Sequence, residues 1–271
     1  MALAPAQAAP RNELTPMDVL VDPRRSAWCR PRQQPALVPA TVHLWRAALD
    51  AAAPTQPLLD VLSADEVRRA EGYRFVHDRR RFIATRGRLR ILLGGYLGIA
   101  PAQISLTYGP SGKPEVVTRC TGARLHFNVS RSDDVALFAF ALDRRVGVDV
   151  ERMRPGIAAD PVVEHFFTPA EVAALRGLPV ASQAQAVFNG WTRKEAYVKA
   201  TGRGIGDGFG DFTVSLRPEE PVAFVAAAPG SEDVARWSLC ALDPAPGYAA
   251  ALVVEGHDWC LERYEAGPAI D

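Results

Sequence analysis

The chain has 271 residues, enough for one large domain or two of about 130 residues each, and 48% of them are hydrophobic, so a sizeable core can form. Its 31 basic residues balance 31 acidic ones, which excludes a chain-wide field for nucleic acid or an anionic membrane and leaves only local anion recognition. Cys29, Cys120, Cys240 and Cys260 lie far apart in no metal-binding spacing, no signal-peptide pattern opens the chain, and no apolar run approaches the roughly 18 residues of a membrane span; the expectation is reduced thiols in a soluble, cytoplasmic protein.

Residues 1–40, rich in Pro, Ala and Arg without a clear period, read as an N-terminal arm that packs on the surface and carries no catalysis. Thr41 to Arg46 predicts a first strand, and Ser63 with Glu66 three positions on predicts a capping box that opens a helix. A second, long helix follows, with Phe82, Leu89, Leu92, Leu93 and Tyr96 near one face and Gly98 and Pro101 ending it. This region is dense in arginine: nine lie between Arg68 and Arg90 against only Glu71 and Asp78, the one strong basic patch in a neutral chain. Arg68, Arg69 and Arg90 read as solvated helix surface, and the cluster Arg79, Arg80, Arg81 and Arg86 as an anion site. No aromatic-interleaved motif accompanies it, so nucleic acid is not the expected anion.

Strands are predicted over 104–108, 125–129 and 135–142, the last apolar enough to be buried. Gly109-Pro-Ser-Gly-Lys-Pro114 is a turn by composition, and Phe127-Asn-Val-Ser-Arg-Ser132 offers hydroxyls and a guanidinium that suit a phosphate. The order then recurs. A helix from about 184 to 200 and strands over 212–216, 237–242 and 248–254 repeat the first series at offsets of roughly 105 to 115 residues. The predicted fold class is α+β: a pseudo-two-fold duplication of two halves, 41–145 and 146–271, each a long helix packed on a small, mostly antiparallel sheet, with the active site in the cleft between them.

Only three of the 31 basic residues are lysine, and all three fall in motif-like segments: Lys113 in the turn, Lys194 and Lys199 in Trp191-Thr-Arg-Lys-Glu-Ala-Tyr-Val-Lys199. A chain that otherwise uses arginine has a use for a compact ammonium there. In Gly147-Val-Asp-Val-Glu151 the carboxylates of Asp149 and Glu151 lie on one side of an extended segment, a hard-oxygen pair suited to Mg²⁺ or Mn²⁺, although such a pair is also ordinary solvated surface. Glu195 and Lys199 share a helix face at i, i+4, which is a site or a plain surface ion pair. The residues by themselves also fit a metal-dependent nucleotide hydrolase or a silent binding module.

Taken in order, G-K-P, F-N-x-S-x-S, G-V-D-x-E and W-T-x-K-E-A-x-x-K make the segment from about 60 to 217 resemble the 4′-phosphopantetheinyl transferases of the surfactin-synthetase-activating class. That resemblance implies a monomer that moves the 4′-phosphopantetheine of coenzyme A to a serine of an apo acyl, polyketide or peptidyl carrier protein, with coenzyme A and Mg²⁺ in the cleft. Asp149, Glu151 and Glu195 would be the metal ligands, Lys199 would neutralise the pyrophosphate, and Glu195, directly or through water, would take the serine proton. Lys113 and Pro114 would border the adenine and phosphate end, Ser130 and Arg131 would bind phosphate, Lys194 would join the coenzyme-binding set, and Arg79, Arg81 and Arg86 would meet the 3′-phosphate. Arg131 stands where the family usually has histidine. Carrier contacts are expected around Phe166, Phe167 and the segment 168–190.

Overall fold

The computed structural model describes residues 27–49, 55–110, 112–116, 119–120, 122–159, 161–203, 209–227 and 234–267. Most of the N-terminal arm, residues 1–26, lies outside them; its described end packs on the first half, where Leu37 is buried and Gln34 donates to the Leu92 carbonyl. In chain order, β1 (Thr41–Ala48) leads to α1 (Gln56–Leu59), α2 (Ala64–Glu71) and α3 (Val76–Leu97), then β2 (Leu106–Tyr108), β3 (Pro114–Val116), β4 (Arg119–Cys120), β5 (Ala123–Ser132), β6 (Val135–Leu142) and β7 (Val146–Arg152). After them come α4 (Val162–Phe166), α5 (Pro169–Arg176), α6 (Val180–Thr201), β8 (Phe212–Val214), β9 (Phe224–Ala227), β10 (Trp237–Leu242), β11 (Tyr248–Glu255) and β12 (Cys260–Glu265).

Local chemistry accounts for the element ends. Ser63 accepts from the Glu66 amide while the Glu66 carboxylate accepts from the Ser63 amide, the predicted capping box. The long helices α3 and α6, 22 residues each, both stop at a glycine in the left-handed region, Gly98 at φ 65° and Gly202 at φ 80°.

Two main sheets form, in the orders β12-β1-β6-β5-β4 and β10-β11-β7, beside the two-stranded pairs β2-β3 and β8-β9. The antiparallel triplet β1-β6-β5 is repeated by β7-β11-β10. Helix α3 covers the outer face of the first sheet, its Phe82, Leu89 and Leu93 in one core with Phe138 and Phe140, and α6 covers the second, with Ala196 and Tyr197 against Ala251 and Val253. The inner faces meet in a third core in which Val42, Leu44 and Leu137 pack against Val148, Val150 and Leu252. The layers therefore run helix, sheet, sheet, helix.

The halves are not self-contained. Strand β12 pairs in parallel with β1, so a strand from beyond residue 146 completes the first sheet. Pairing between residues this far apart leaves no local trace in either segment.

Candidate active site

The site lies where α6 crosses β7 and where β5 of the first half meets β7 of the second. Gly147 lets α6 approach: a Cβ there would overlap the Ala196 carbonyl and the Ala200 amide. That approach brings Lys199 over Asp149, with the ammonium 2.6 Å from Asp149 Oδ1. Lys199 also donates to Ser130 Oγ at 3.1 Å, and Ser130 in turn donates to Asp149 Oδ1 at 2.8 Å.

As the edge of its sheet, β7 would leave every second amide unpaired. Side chains of β5 take them up: Asn128 Oδ1 accepts from Val148, Ser130 Oγ from Val150 and Ser132 Oγ from Arg152. The i, i+2, i+4 spacing of these residues follows from the strand period, which puts all three on one face. Ser132 also donates to Glu151 Oε2 at 2.8 Å. Asn128 and Ser132 were missed as site residues; the polar alternation through Phe127-Asn-Val-Ser-Arg-Ser132 was the available signal.

The electrostatics are those of crowded anions around one cation. Burial raises the Glu195 carboxyl to about 7, with Lys199 opposing and Asp149 and Glu151 adding to the rise. Burial and then Asp149 also push Glu151 up, against Ser132 and Lys199. For Lys199 burial works against the charge, but Asp149, Glu195 and Glu151 outweigh it and hold its pKa above the ordinary value. Two buried oxygens, Asp149 Oδ2 and Glu195 Oε2, have no hydrogen-bond partner. Among the described residues no three acidic, histidine or cysteine side chains converge tightly enough to enclose a cation as they stand, and the Lys199 ammonium lies on Asp149. The donors nevertheless suit a hard divalent ion: oxygen atoms, two of them buried and unpaired, from residues within electrostatic reach of each other.

Other expected site residues lie elsewhere. Lys194 is fully buried and ion-paired with Glu171 at 3.0 Å; it donates to the carbonyls of Phe209 and Phe212 and lies over the Phe212 ring, so it ties α6 to α5 and to the segment that begins at Phe209. The Lys113 ammonium donates to the carbonyls of Lys199 and Val146, at 2.6 and 3.2 Å, and with Arg124 and Arg145 the side chain borders the small cavity that Pro114 also lines. Pro114 opens β3 and, with Phe127, Thr201 and Gly202, lines a small cavity of about 130 Å³ behind that turn. Arg131 is half-buried on β5, next to Ser130 in sequence and with its side chain on the opposite face.

The arginine cluster does not act as one unit. Arg79 is exposed, Arg81 is bound to Asp134 at 2.8 Å, and Arg86 turns to Glu66 at 3.5 Å. Arg86, together with Arg69, Tyr108 and the carboxylates of Asp65 and Glu66, lines a cavity of about 390 Å³ between α2, α3 and β2; its Nη1 is buried without a hydrogen-bond partner. Arg69 is exposed, as expected of solvated surface, whereas Arg90 is not surface: it is buried, paired with Glu66 and bound to the carbonyls of Pro101 and Ile104. Phe167 is buried against Gly190, and Phe166 packs edge-on against Trp191 and Phe209, so neither is a free apolar contact.

Residues 145–253, which contain β7, α6 and β11, match the family model described as the 4′-phosphopantetheinyl transferase superfamily. The 4′-phosphopantetheinyl transferase HetI of Nostoc sp. is 41% identical over 219 residues, 80% of this chain and 89% of its own length. A putative 4′-phosphopantetheinyl transferase of Synechocystis sp. is 36% identical over 66% of this chain and 71% of its own, and a phosphopantetheinyl transferase of Thraustochytrium sp. is 30% identical over 81% and 80%.

Proposed function

Because this chain belongs to the 4′-phosphopantetheinyl transferase superfamily, we propose that it carries the 4′-phosphopantetheine of coenzyme A onto a serine of an apo carrier protein, giving the holo carrier and 3′,5′-ADP. The single observation that supports this best is the Lys199, Asp149 and Glu195 cluster at the seam of the two halves, held from the first half by Ser130. It sets a fixed cation and a weakly acidic carboxyl side by side, which is what a phosphoryl-type transfer asks of a protein.

In the reaction the carrier serine oxygen bonds to the β-phosphorus of coenzyme A and the bond from that phosphorus to the bridging oxygen breaks. Charge gathers on the nonbridging and leaving oxygens. Lys199, whose ammonium stays protonated well past neutral pH, faces that charge. Glu195, with its carboxyl at about 7, is a base matched to near-neutral pH and takes the serine proton directly or through one water. Ser130 orients both Lys199 and Asp149, and Ser132 orients Glu151. Asp149, Glu151 and Glu195 are the residues that would hold Mg²⁺ or Mn²⁺; when bound, the ion would neutralise pyrophosphate oxygens. The buried, unpartnered Nη1 of Arg86, with Arg69 beside it, makes the 390 Å³ cavity our choice for the 3′-phosphate end of coenzyme A. Lys194 is left out of this set.

We take the protein to act as a cytoplasmic monomer on acyl, polyketide or peptidyl carriers, a reading supported by the contribution of Ser130 and of Asp149 and Lys199, from the two halves of one chain, to one cluster. The test is the intact mass of an apo carrier after incubation with the protein, coenzyme A and Mg²⁺, with a chelator control. A gain of one 4′-phosphopantetheine, lost with chelator, is expected. No gain across several carriers with coenzyme A intact would leave a binding module, and loss of coenzyme A without carrier a hydrolase.

A further inference from the structure

The last turn of an α-helix leaves carbonyls without helical partners. In α6 the Val198 carbonyl is taken by the Gly202 amide and by the Thr201 hydroxyl. The Lys199 carbonyl is taken from outside the helix, by the ammonium of Lys113 at 2.6 Å. The same ammonium donates to the carbonyl of Val146, the first residue of β7, at 3.2 Å. Lys113 therefore joins three pieces of backbone: its own turn in the first half, the start of β7, and the end of α6.

The surroundings make the contact a built one. The Gly109 amide donates to the Lys113 carbonyl and the Gly112 amide to the Gly109 carbonyl, with Gly112 at φ 76°, so the turn fixes the lysine at its base. A cation at the C-terminal end of a helix is favoured by the helix dipole, and the side chain is half-buried. Next to it, Gly147 sets the closest approach of β7 to Ala196 and Ala200 of α6. Lys199 is thus held at both ends, its backbone by Lys113 and its ammonium by Asp149 and Ser130.

We propose that Lys113 is a positioning residue for Lys199, fixing the last turn of α6 against β7 so that the Lys199 ammonium keeps its place beside Asp149. It acts through the backbone, by way of the carbonyls of Lys199 and Val146. This rests on the transferase reading, in which Lys199 meets the reacting phosphate.

The experiment compares wild type, Lys113→Met and Lys113→Gln in carrier-modification kinetics, with Lys199→Ala alone and combined with Lys113→Met. For Lys113→Met, kcat is expected to fall about tenfold or more while KM for coenzyme A stays within about threefold, and the loss is expected not to add to that of Lys199→Ala. Lys113→Gln, which keeps a donor, recovers part of kcat and carries the test if the methionine variant does not fold. In the ligand-free protein, the last-turn amides of α6 exchange faster in Lys113→Met. Unchanged exchange and kcat would overturn the assignment, as would a rise of about tenfold in KM with additive losses, the pattern of a direct coenzyme ligand. A wild-type protein that modifies no carrier would sink the transferase reading instead, while the exchange comparison would still test whether Lys113 holds α6.

Discussion

Lys199 and Asp149 form an ion pair in which one partner is open and the other is not: about a quarter of the lysine side chain is exposed, 27%, against 2% of the aspartate. The exposed cation is the half of the pair that can turn to a ligand, and the buried anion is the half that cannot stand alone.

Lys199→Ala should therefore cost both activity and stability. The transfer rate is expected to drop about 10²-fold or more, the scale of losing one charged stabiliser of a developing anion. In metal-free protein the orphaned Asp149 should lower stability by about 2 kcal/mol, less than for a fully buried pair because Lys199 is partly in water. Urea unfolding with and without Mg²⁺ checks this; the deficit should shrink with the ion present.

Glu195 sets a pH dependence of stability. Its carboxyl sits at about 7 in the folded chain against an ordinary 4.5, so between these values the folded state holds a proton that the unfolded state has released. Stability from this group is complete below pH 4.5 and is lost as pH rises through about 7. Glu195→Gln should remove that fall, so the variant gains on wild type by about 3 kcal/mol between acidic and mildly alkaline pH. Denaturation in chelator at several pH values gives the answer, and parallel curves for the two proteins would refute it.

Gly147→Ala should be poorly tolerated although it adds only a methyl group. The new Cβ meets backbone of α6, which has no rotamer to yield, so the helix itself must move. A loss of about 3 kcal/mol in stability is expected, with kcat reduced as Lys199 shifts from Asp149. Thermal melting and the transfer assay measure the two effects.

Lys194→Met should leave coenzyme A affinity of the folded protein unchanged and instead destabilise it by about 4 kcal/mol, since Glu171 would remain as an uncompensated charge 1% exposed. Calorimetric titration and urea midpoints separate these. A weakened affinity at full stability would restore Lys194 to the coenzyme site.

Local signals were legible where local physics decides. The Ser63 and Glu66 capping box, the apolar face of α3 and the buried strand β6 all follow from spacing and period, α6 runs four residues further toward its start than its pattern suggested, and Asp149, Glu195 and Lys199, which their motifs put on predicted faces, lie within electrostatic reach of one another in the fold. What escaped was the direction of side chains relative to the other half. Lys113 and Lys194 look like anion ligands in sequence because a scarce ammonium in a motif invites that role, yet both face inward to carbonyls. One clue stood in plain view: Thr168 and Glu171 form a second capping box, and a carboxylate in that position, buried in the fold, needs a cation such as Lys194.

The parallel pairing of β1 with β12 bears on how the chain reaches this structure. Arg46 and Glu265, matched across it, are 219 residues apart, so during synthesis the first sheet waits with an open edge until nearly all of the described chain has left the ribosome. The two halves cannot mature one after the other, and a nascent chain stalled before Cys260 would carry that bare edge as a target for chaperones or for a neighbouring chain.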